Sequence, residues 1–284
     1  MRRANFGPLD VAVPIVGQGT WELPLRDPAA SSAKQALRRG IELGMVHIDT
    51  AEMYGDGAVE TLVGEAIAGM PRESLFIVSK VLPSHATYKG TISACDASLR
   101  RLQTDYLDAY LLHWPGSHPL GETMGALEQL ARDGKIRALG VSNFDVEELA
   151  EARSALRRYA LACNQVLYHL GERGIEHRLA PYCRANDIAI VAYSPFGKSN
   201  FPSASSVAGR TLTSVGQRHG ATARQAALAF LTREPQTFAI PKAARADHVA
   251  ENAAAGDLML SAGDVAEIQA AFPLPPPRRR LATS

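Results

Sequence analysis

The chain has 284 residues, with 30 Lys and Arg against 29 Asp and Glu and a formal net charge of +1. That even balance excludes the strongly basic surface by which nucleic-acid binders hold phosphates, so no nucleic-acid partner is expected. The length suits one large α/β domain, because a single barrel of strands and helices takes about 250 residues before insertions.

Cys95, Cys163 and Cys183 are odd in number and lack the paired spacing of a zinc site; they read as buried thiols in a reducing compartment, and no metal is expected. The first residues, Met1-Arg2-Arg3-Ala4-Asn5-Phe6, are not followed by the apolar core of a signal peptide. No run of about 18 apolar residues occurs, so no membrane span is expected. A soluble, cytoplasmic monomer is the expectation.

In chain order, Asn5-Phe6 and Val11-Ala12-Val13 flank Gly7-Pro8-Leu9-Asp10, the pattern of a small hairpin that can plug the bottom of a barrel. Short apolar runs then follow at 15–19, 45–49, 75–80, 107–113, 136–142, 161–167, 188–193 and 238–241. Continuous apolar runs suit strands buried on both faces, as in a parallel sheet. Helical stretches separate them. Ala33, Ala36, Leu37 and Ile41 form one apolar stripe, and Val59, Leu62, Val63, Ala66 and Ile67 form the next. Residues 262–272 predict one more helix, and 273–284 predict a flexible Pro-rich tail in which Arg278-Arg279-Arg280 is a solvated basic cluster. No linker interrupts this alternation, so 1–284 reads as one domain.

Strand-helix alternation admits a closed barrel or a doubly wound open sheet. An open sheet binding a dinucleotide carries a G-x-G-x-x-G turn after its first strand. Gly17-Gln18-Gly19 begins that pattern but Glu22 ends it, and Gly55-Asp56-Gly57 fails likewise at Glu60. The predicted fold is therefore an α/β (β/α)8 barrel with an N-terminal hairpin and an extra C-terminal helix.

In such a barrel the C-terminal ends of the strands share one rim, where these enzymes keep their chemistry. Asp49, Lys80 and His113 close three successive runs, and Tyr54 follows Asp49 in the next loop. A phenol titrates near 10 and is a weak acid at neutral pH. A neighbouring ammonium from Lys80 favours the phenolate and draws that value down. Asp49 can pair with the ammonium, and His113 can donate a hydrogen bond to a substrate oxygen. Each residue alone has an ordinary reading: a surface tyrosine, a structural Asp–Lys pair, a rim histidine. The signal is their occurrence together at the ends of consecutive runs.

The surrounding words resemble those of the aldo-keto reductases over nearly the whole chain, from Phe6 to Phe272. They are 44–55, reading GMVHIDTAEMYG, then Val78-Ser79-Lys80, and 99–115, reading LRRLQTDYLDAYLLHWP. Gly140-Val141-Ser142-Asn143-Phe144, Asn164-Gln165-Val166, Tyr193-Ser194-Pro195 and Ile240-Pro241-Lys242 follow in order. Each word is weak by itself; their order and spacing are specific. The resemblance implies Tyr54 as general acid, Lys80 and Asp49 tuning it, and His113 orienting a small-molecule carbonyl substrate. Trp21 and Trp114 are expected to line the pocket beside Tyr54 and His113.

The same resemblance implies NADP(H), bound across the barrel mouth without a Rossmann domain. Ser142, Asn143 and Gln165 are expected on the nicotinamide carboxamide, with Asp49 beside them and Tyr193 stacked on the ring. Gly19, Thr20, Ser194, Phe196 and Gly197 are expected along the ribose and pyrophosphate. Lys242, Ala243, His248, Glu251 and Asn252 are expected at the adenosine end, and Ile240 is expected in the cofactor site. Two positions depart from the family pattern, which has a serine after the lysine and an arginine six residues beyond it. Here they are Ala243 and His248, which removes a hydroxyl and a permanently charged fork suited to a 2′-phosphate. NAD(H) use therefore stays open, with Arg245 as a candidate replacement. The segment after Tyr193 is short and the tail lacks aromatics, so small substrate-enclosing loops are expected. The family also contains channel-associated β-subunits, and a cofactor-binding regulatory or interaction protein with little turnover is the alternative reading.

Overall fold

The computed structural model describes residues 1–278 and 280–283. An antiparallel hairpin, β1 (Arg3–Phe6) and β2 (Leu9–Pro14), comes first. Eight parallel strands follow: β3 (Gln18–Gly19), β4 (His47–Asp49), β5 (Phe76–Val81), β6 (Leu107–Leu112), β7 (Ile136–Ser142), β8 (Leu161–Leu167), β9 (Ala189–Tyr193) and β10 (Thr237–Ala239). The helices between them are α1 (Ala29–Glu42), α2 (Ala58–Ile67), α3 (Tyr88–Leu102), α4 (Leu120–Arg132), α5 (Val146–Ala155) and α6 (Leu179–Ala185). Two helices, α7 (Val207–Arg218) and α8 (Ala223–Leu231), separate β9 from β10, and α9 (Ala246–Ala254) and α10 (Ala262–Ala271) follow β10.

The parallel strands pair in sequence order, and the first and last meet. Ala239 N donates to Ile15 O at 2.8 Å, Gly17 N to Ala239 O at 2.8 Å and Gly19 N to Pro241 O at 3.2 Å. These bonds close the barrel and remove the edges of the sheet. They also explain why β3 is shorter than the apolar run at 15–19, since part of that run bonds back to the β10 segment. Gly19 lies so close to this seam that a Cβ there would come 2.5 Å from Ile240 O.

Every residue of β5, β6 and β8 is buried, as the continuous apolar runs require when helices cover the outer face. Helix α2 buries the predicted stripe of Val59, Leu62, Val63, Ala66 and Ile67. It buries Glu60 as well, whose carboxylate accepts from Ser79 Oγ at 2.5 Å and Arg101 Nε at 2.6 Å.

The hairpin sits at the N-terminal ends of the strands. The Phe6 ring lies 4.8 Å from Phe76, 5.2 Å from Phe238 and 5.8 Å from His47, filling the barrel floor. His47 is fully buried among these rings, and neither ring nitrogen has a hydrogen-bond partner among the described residues. Burial, reinforced by the Lys80 charge, pushes its pKa down to about 3, so the ring is neutral.

Beyond α10 the chain lies along the segment after β8. Arg173 Nη1 donates to Phe272 O at 2.5 Å, His177 Nε2 to Pro275 O at 2.7 Å, and Arg278 pairs with Glu172 at 3.1 Å. The parts of the tail and basic-cluster expectations that fall on residues 279 and 284 lie outside the described residues. No helix among the described residues is long and apolar enough to cross a membrane.

Candidate active site

Each candidate side chain is carried to one rim by the strand that precedes it. Asp49 ends β4, Lys80 lies near the end of β5, His113 follows β6, Ser142 ends β7, Gln165 is in β8 and Tyr193 ends β9. Tyr54 folds back over this rim from the loop before α2, and its side chain is buried.

The four predicted catalytic residues converge. Lys80 Nζ donates to Asp49 Oδ1 at 2.6 Å, to Thr50 O at 2.8 Å and to the Tyr54 phenol oxygen at 3.2 Å. All three ammonium donors are thereby used. Gln165 Nε2 donates to Asp49 Oδ2 at 2.6 Å, so the carboxylate is held from both sides. The Tyr54 and His113 rings meet edge to face at 5.8 Å, and Trp21 and Trp114 pack beyond them at 4.9 and 4.7 Å.

Burial by itself favours the neutral forms of the Lys80–Asp49 pair, lowering the lysine and raising the aspartic acid. For Lys80 the attraction of Asp49 and Tyr54 outweighs burial, and its pKa is raised. The proton therefore resides on the lysine, where three acceptors meet it. Tyr54 departs from the simple expectation. Burial raises its pKa and outweighs the opposing pull of Lys80, so the phenol keeps its proton at neutral pH. Lys80 instead stands ready to stabilise the phenolate once the proton leaves. Burial and the Lys80 charge push His113 down to about 2, leaving a neutral imidazole able to donate one hydrogen bond.

A cavity of about 650 Å³ opens above these groups. Its lining includes the predicted residues Gly19, Thr20, Trp21, Asp49, Tyr54, His113, Trp114, Ser142, Asn143, Gln165, Tyr193, Ser194, Phe196, Ile240 and Lys242. Asn143 joins three parts of the wall. It donates to His113 O at 3.2 Å and to Ser142 Oγ at 3.1 Å, and accepts from Tyr193 OH at 2.9 Å. Its φ of 63° is a left-handed conformation that asparagine tolerates better than most residues.

Gly197, Ala243, His248, Glu251 and Asn252 lie outside that lining. The Glu251 carboxylate accepts from Thr222 Oγ1 at 2.6 Å, tying α9 to the start of α8. Arg245 is paired with Asp247, which also accepts from His248 N at 3.0 Å. The lining adds residues that the sequence reading missed, among them Glu22, Met53, Lys198, Ser199 and Arg224. Met53 stands within a recognised word; Lys198, Ser199 and Arg224 carry no motif signal.

Fold and rim together define a barrel enzyme equipped to hand a proton to a substrate oxygen. The chain belongs to the aldo/keto reductase family, whose model matches residues 15–272. It is 45% identical to a methylglyoxal reductase of Escherichia coli, over 94% of this chain and 93% of that protein. It is 36% identical to a glyoxal reductase of Bacillus subtilis, over 92% and 89% of the two chains. The crystal structure of an aldo/keto reductase from Klebsiella pneumoniae in complex with NADP and acetate matches with a TM-score of 0.90 at 42% identity, covering 100% of both chains.

Proposed function

We propose that Tyr54 is the general acid of a carbonyl reduction, and that the preferred substrate is a short aldehyde carrying a second carbonyl, of the methylglyoxal type. The reaction class follows from the family: the chain is an NADP(H)-using oxidoreductase of small carbonyl compounds. The observation that carries the proposal is the Lys80 contact to Tyr54 at 3.2 Å, at the wall of the cavity where the Tyr54 phenol and the His113 imidazole meet.

The residues present suit an extended dinucleotide. The cavity falls within the few hundred to a thousand Å³ of ordinary ligand sites. Its walls offer amide and hydroxyl groups from Ser142, Asn143 and Gln165, the Tyr193 ring, and cations from Lys198, Arg224 and Lys242. NADPH, when bound, supplies the hydride that reaches the carbonyl carbon. Tyr54 gives its proton to the carbonyl oxygen as negative charge develops there, and neutral His113 donates a hydrogen bond that orients that oxygen. Lys80 stabilises the phenolate left behind, and Asp49 with Gln165 holds Lys80 in place. Trp21, Trp114 and Met53 supply the apolar surface beside the reacting carbonyl.

The relatives named for glyoxal and methylglyoxal support the substrate class. The test is NADPH oxidation across a panel of dicarbonyls, simple aldehydes, ketones and keto acids, with NADH in parallel. The highest kcat/KM is expected for methylglyoxal or glyoxal with NADPH. Faster turnover of simple ketones would overturn the substrate class. Binding of NADPH without turnover of any compound would favour the cofactor-binding regulatory reading.

A further inference from the structure

We propose that Arg224 is a cofactor-phosphate residue: its guanidinium, packed against two phenyl rings at the cavity wall, grips a phosphate of the adenine dinucleotide. The inference rests on the NADP(H) reading above. Arg224 Cζ lies 4.7 Å from the Phe196 ring and 4.6 Å from the Phe201 ring, and the two rings meet edge to face at 5.7 Å. A delocalised guanidinium stacks well on aromatic faces, and stacking orients it while leaving its in-plane N–H donors available.

The charge around it is unbalanced. Arg224, Lys198 and Lys242 all line the cavity, and among the described residues none has a carboxylate within ion-pair distance. The carboxylates of the lining are Asp49, committed to Lys80, and Glu22. Arg224 also stands in the first turn of α8, where the helix dipole disfavours a cation and the turn itself carries no acidic residue; Glu251 of α9 reaches only the Thr222 cap. Three unpaired cations on one cavity, one of them held in an unfavourable place by two aromatic rings, point to an anionic ligand.

The other candidate cations are less available. The Nε–Nη2 edge of the Arg245 guanidinium is taken by Asp247, and neither Arg245 nor His248 lines the cavity. Arg224 is thus the arginine that faces the cavity, on a helix linked through Thr222 and Gln225 to Glu251 of α9.

The test titrates NADPH and NADH into the parent, Arg224→Gln and Arg224→Lys, reading quenching of Trp21 and Trp114 fluorescence at low and high salt. Removing one charge-assisted contact at an open site is expected to weaken NADPH about tenfold in Arg224→Gln and to flatten the salt dependence of its Kd. Arg224→Lys should restore the salt dependence. An equal loss for NADH assigns the contact to the pyrophosphate; an unchanged NADH Kd assigns it to the 2′-phosphate, and either supports the proposal. An NADPH Kd within twofold of the parent in Arg224→Gln would overturn it. So would weaker binding with an unchanged salt slope, which would give Arg224 only the task of holding the Phe196–Phe201 segment. A parent that binds neither cofactor overturns the functional reading as well; intact parent binding confines any failure to Arg224.

Discussion

At the scale of single residues the site is organised around one buried charge. Lys80 is fully buried and survives there because Asp49 Oδ1 at 2.6 Å, Thr50 O and the Tyr54 oxygen replace water around its ammonium. Removing the cation leaves Asp49 buried with, among the described residues, the Gln165 amide as its one remaining side-chain donor. Lys80→Met is therefore expected to cost ~3 to 5 kcal/mol of stability, the range for orphaning one partner of a buried ion pair. Urea unfolding measures this directly. Asp49→Asn, which keeps a polar acceptor for Lys80, should cost less. Equal stability of Lys80→Met and the parent would show that the pair is not buried as described. The elevated Tyr54 pKa belongs to this scale too. The sequence pattern shows that a lysine can meet the phenol, but it does not show how much water the fold removes from both.

At the scale of elements, the hairpin and the strand ends do the positioning. Gly7 turns the hairpin with a φ of +59°, and a Cβ there would come 2.2 Å from Ala162 O. Gly7→Ala combines a disfavoured backbone conformation with a clash against backbone, so a loss of about 2 kcal/mol or more is expected. Because Phe6 fills the floor and the chemistry lies at the opposite rim, KM for the carbonyl should hardly move while Tm falls by several degrees. An unshifted Tm would mean that the hairpin does not brace the barrel. The barrel strands were legible because residues buried on both faces leave continuous apolar runs, and Asp49, Lys80 and His113 were legible because each closes such a run. The division of the helical stretch between β9 and β10 into α7 and α8 was less visible. Thr222 and Gln225 form a capping box that starts α8 afresh after Gly220 at φ +64°. Arg224 was hidden for a related reason. Inside a Thr-Ala-Arg-Gln helix start it reads as an ordinary exposed arginine, and only the fold brings Phe196 and Phe201 against it.

At the scale of the whole molecule, two buried imidazoles link stability to pH. His47 and His113 have folded-state pKa values pushed down to about 3 and about 2, against an ordinary value of 6.5. Below pH 6.5 the unfolded chain therefore takes up protons that the folded chain refuses. Their contribution is fully present above that pH and is lost as pH falls toward 3. Each histidine lowers stability by up to about 1.4 kcal/mol per pH unit within this window. His47→Leu removes one of the two without touching the rim, so its urea-unfolding free energy should fall less steeply between pH 6 and pH 4. Identical slopes for variant and parent would mean that His47 titrates normally in the folded protein.

The reaction itself turns on the Tyr54 proton. Tyr54→Phe keeps the ring against Trp21 and His113 and removes only the hydroxyl that Lys80 contacts. The decisive measurement compares methylglyoxal-dependent NADPH oxidation with NADPH binding by fluorescence quenching in the parent and in Tyr54→Phe. A kcat about 10² to 10⁴-fold lower, with NADPH Kd within a few-fold of the parent, is the result expected for loss of a general acid. A kcat close to the parent's, with the cofactor still bound, would contradict it and assign the proton to another group.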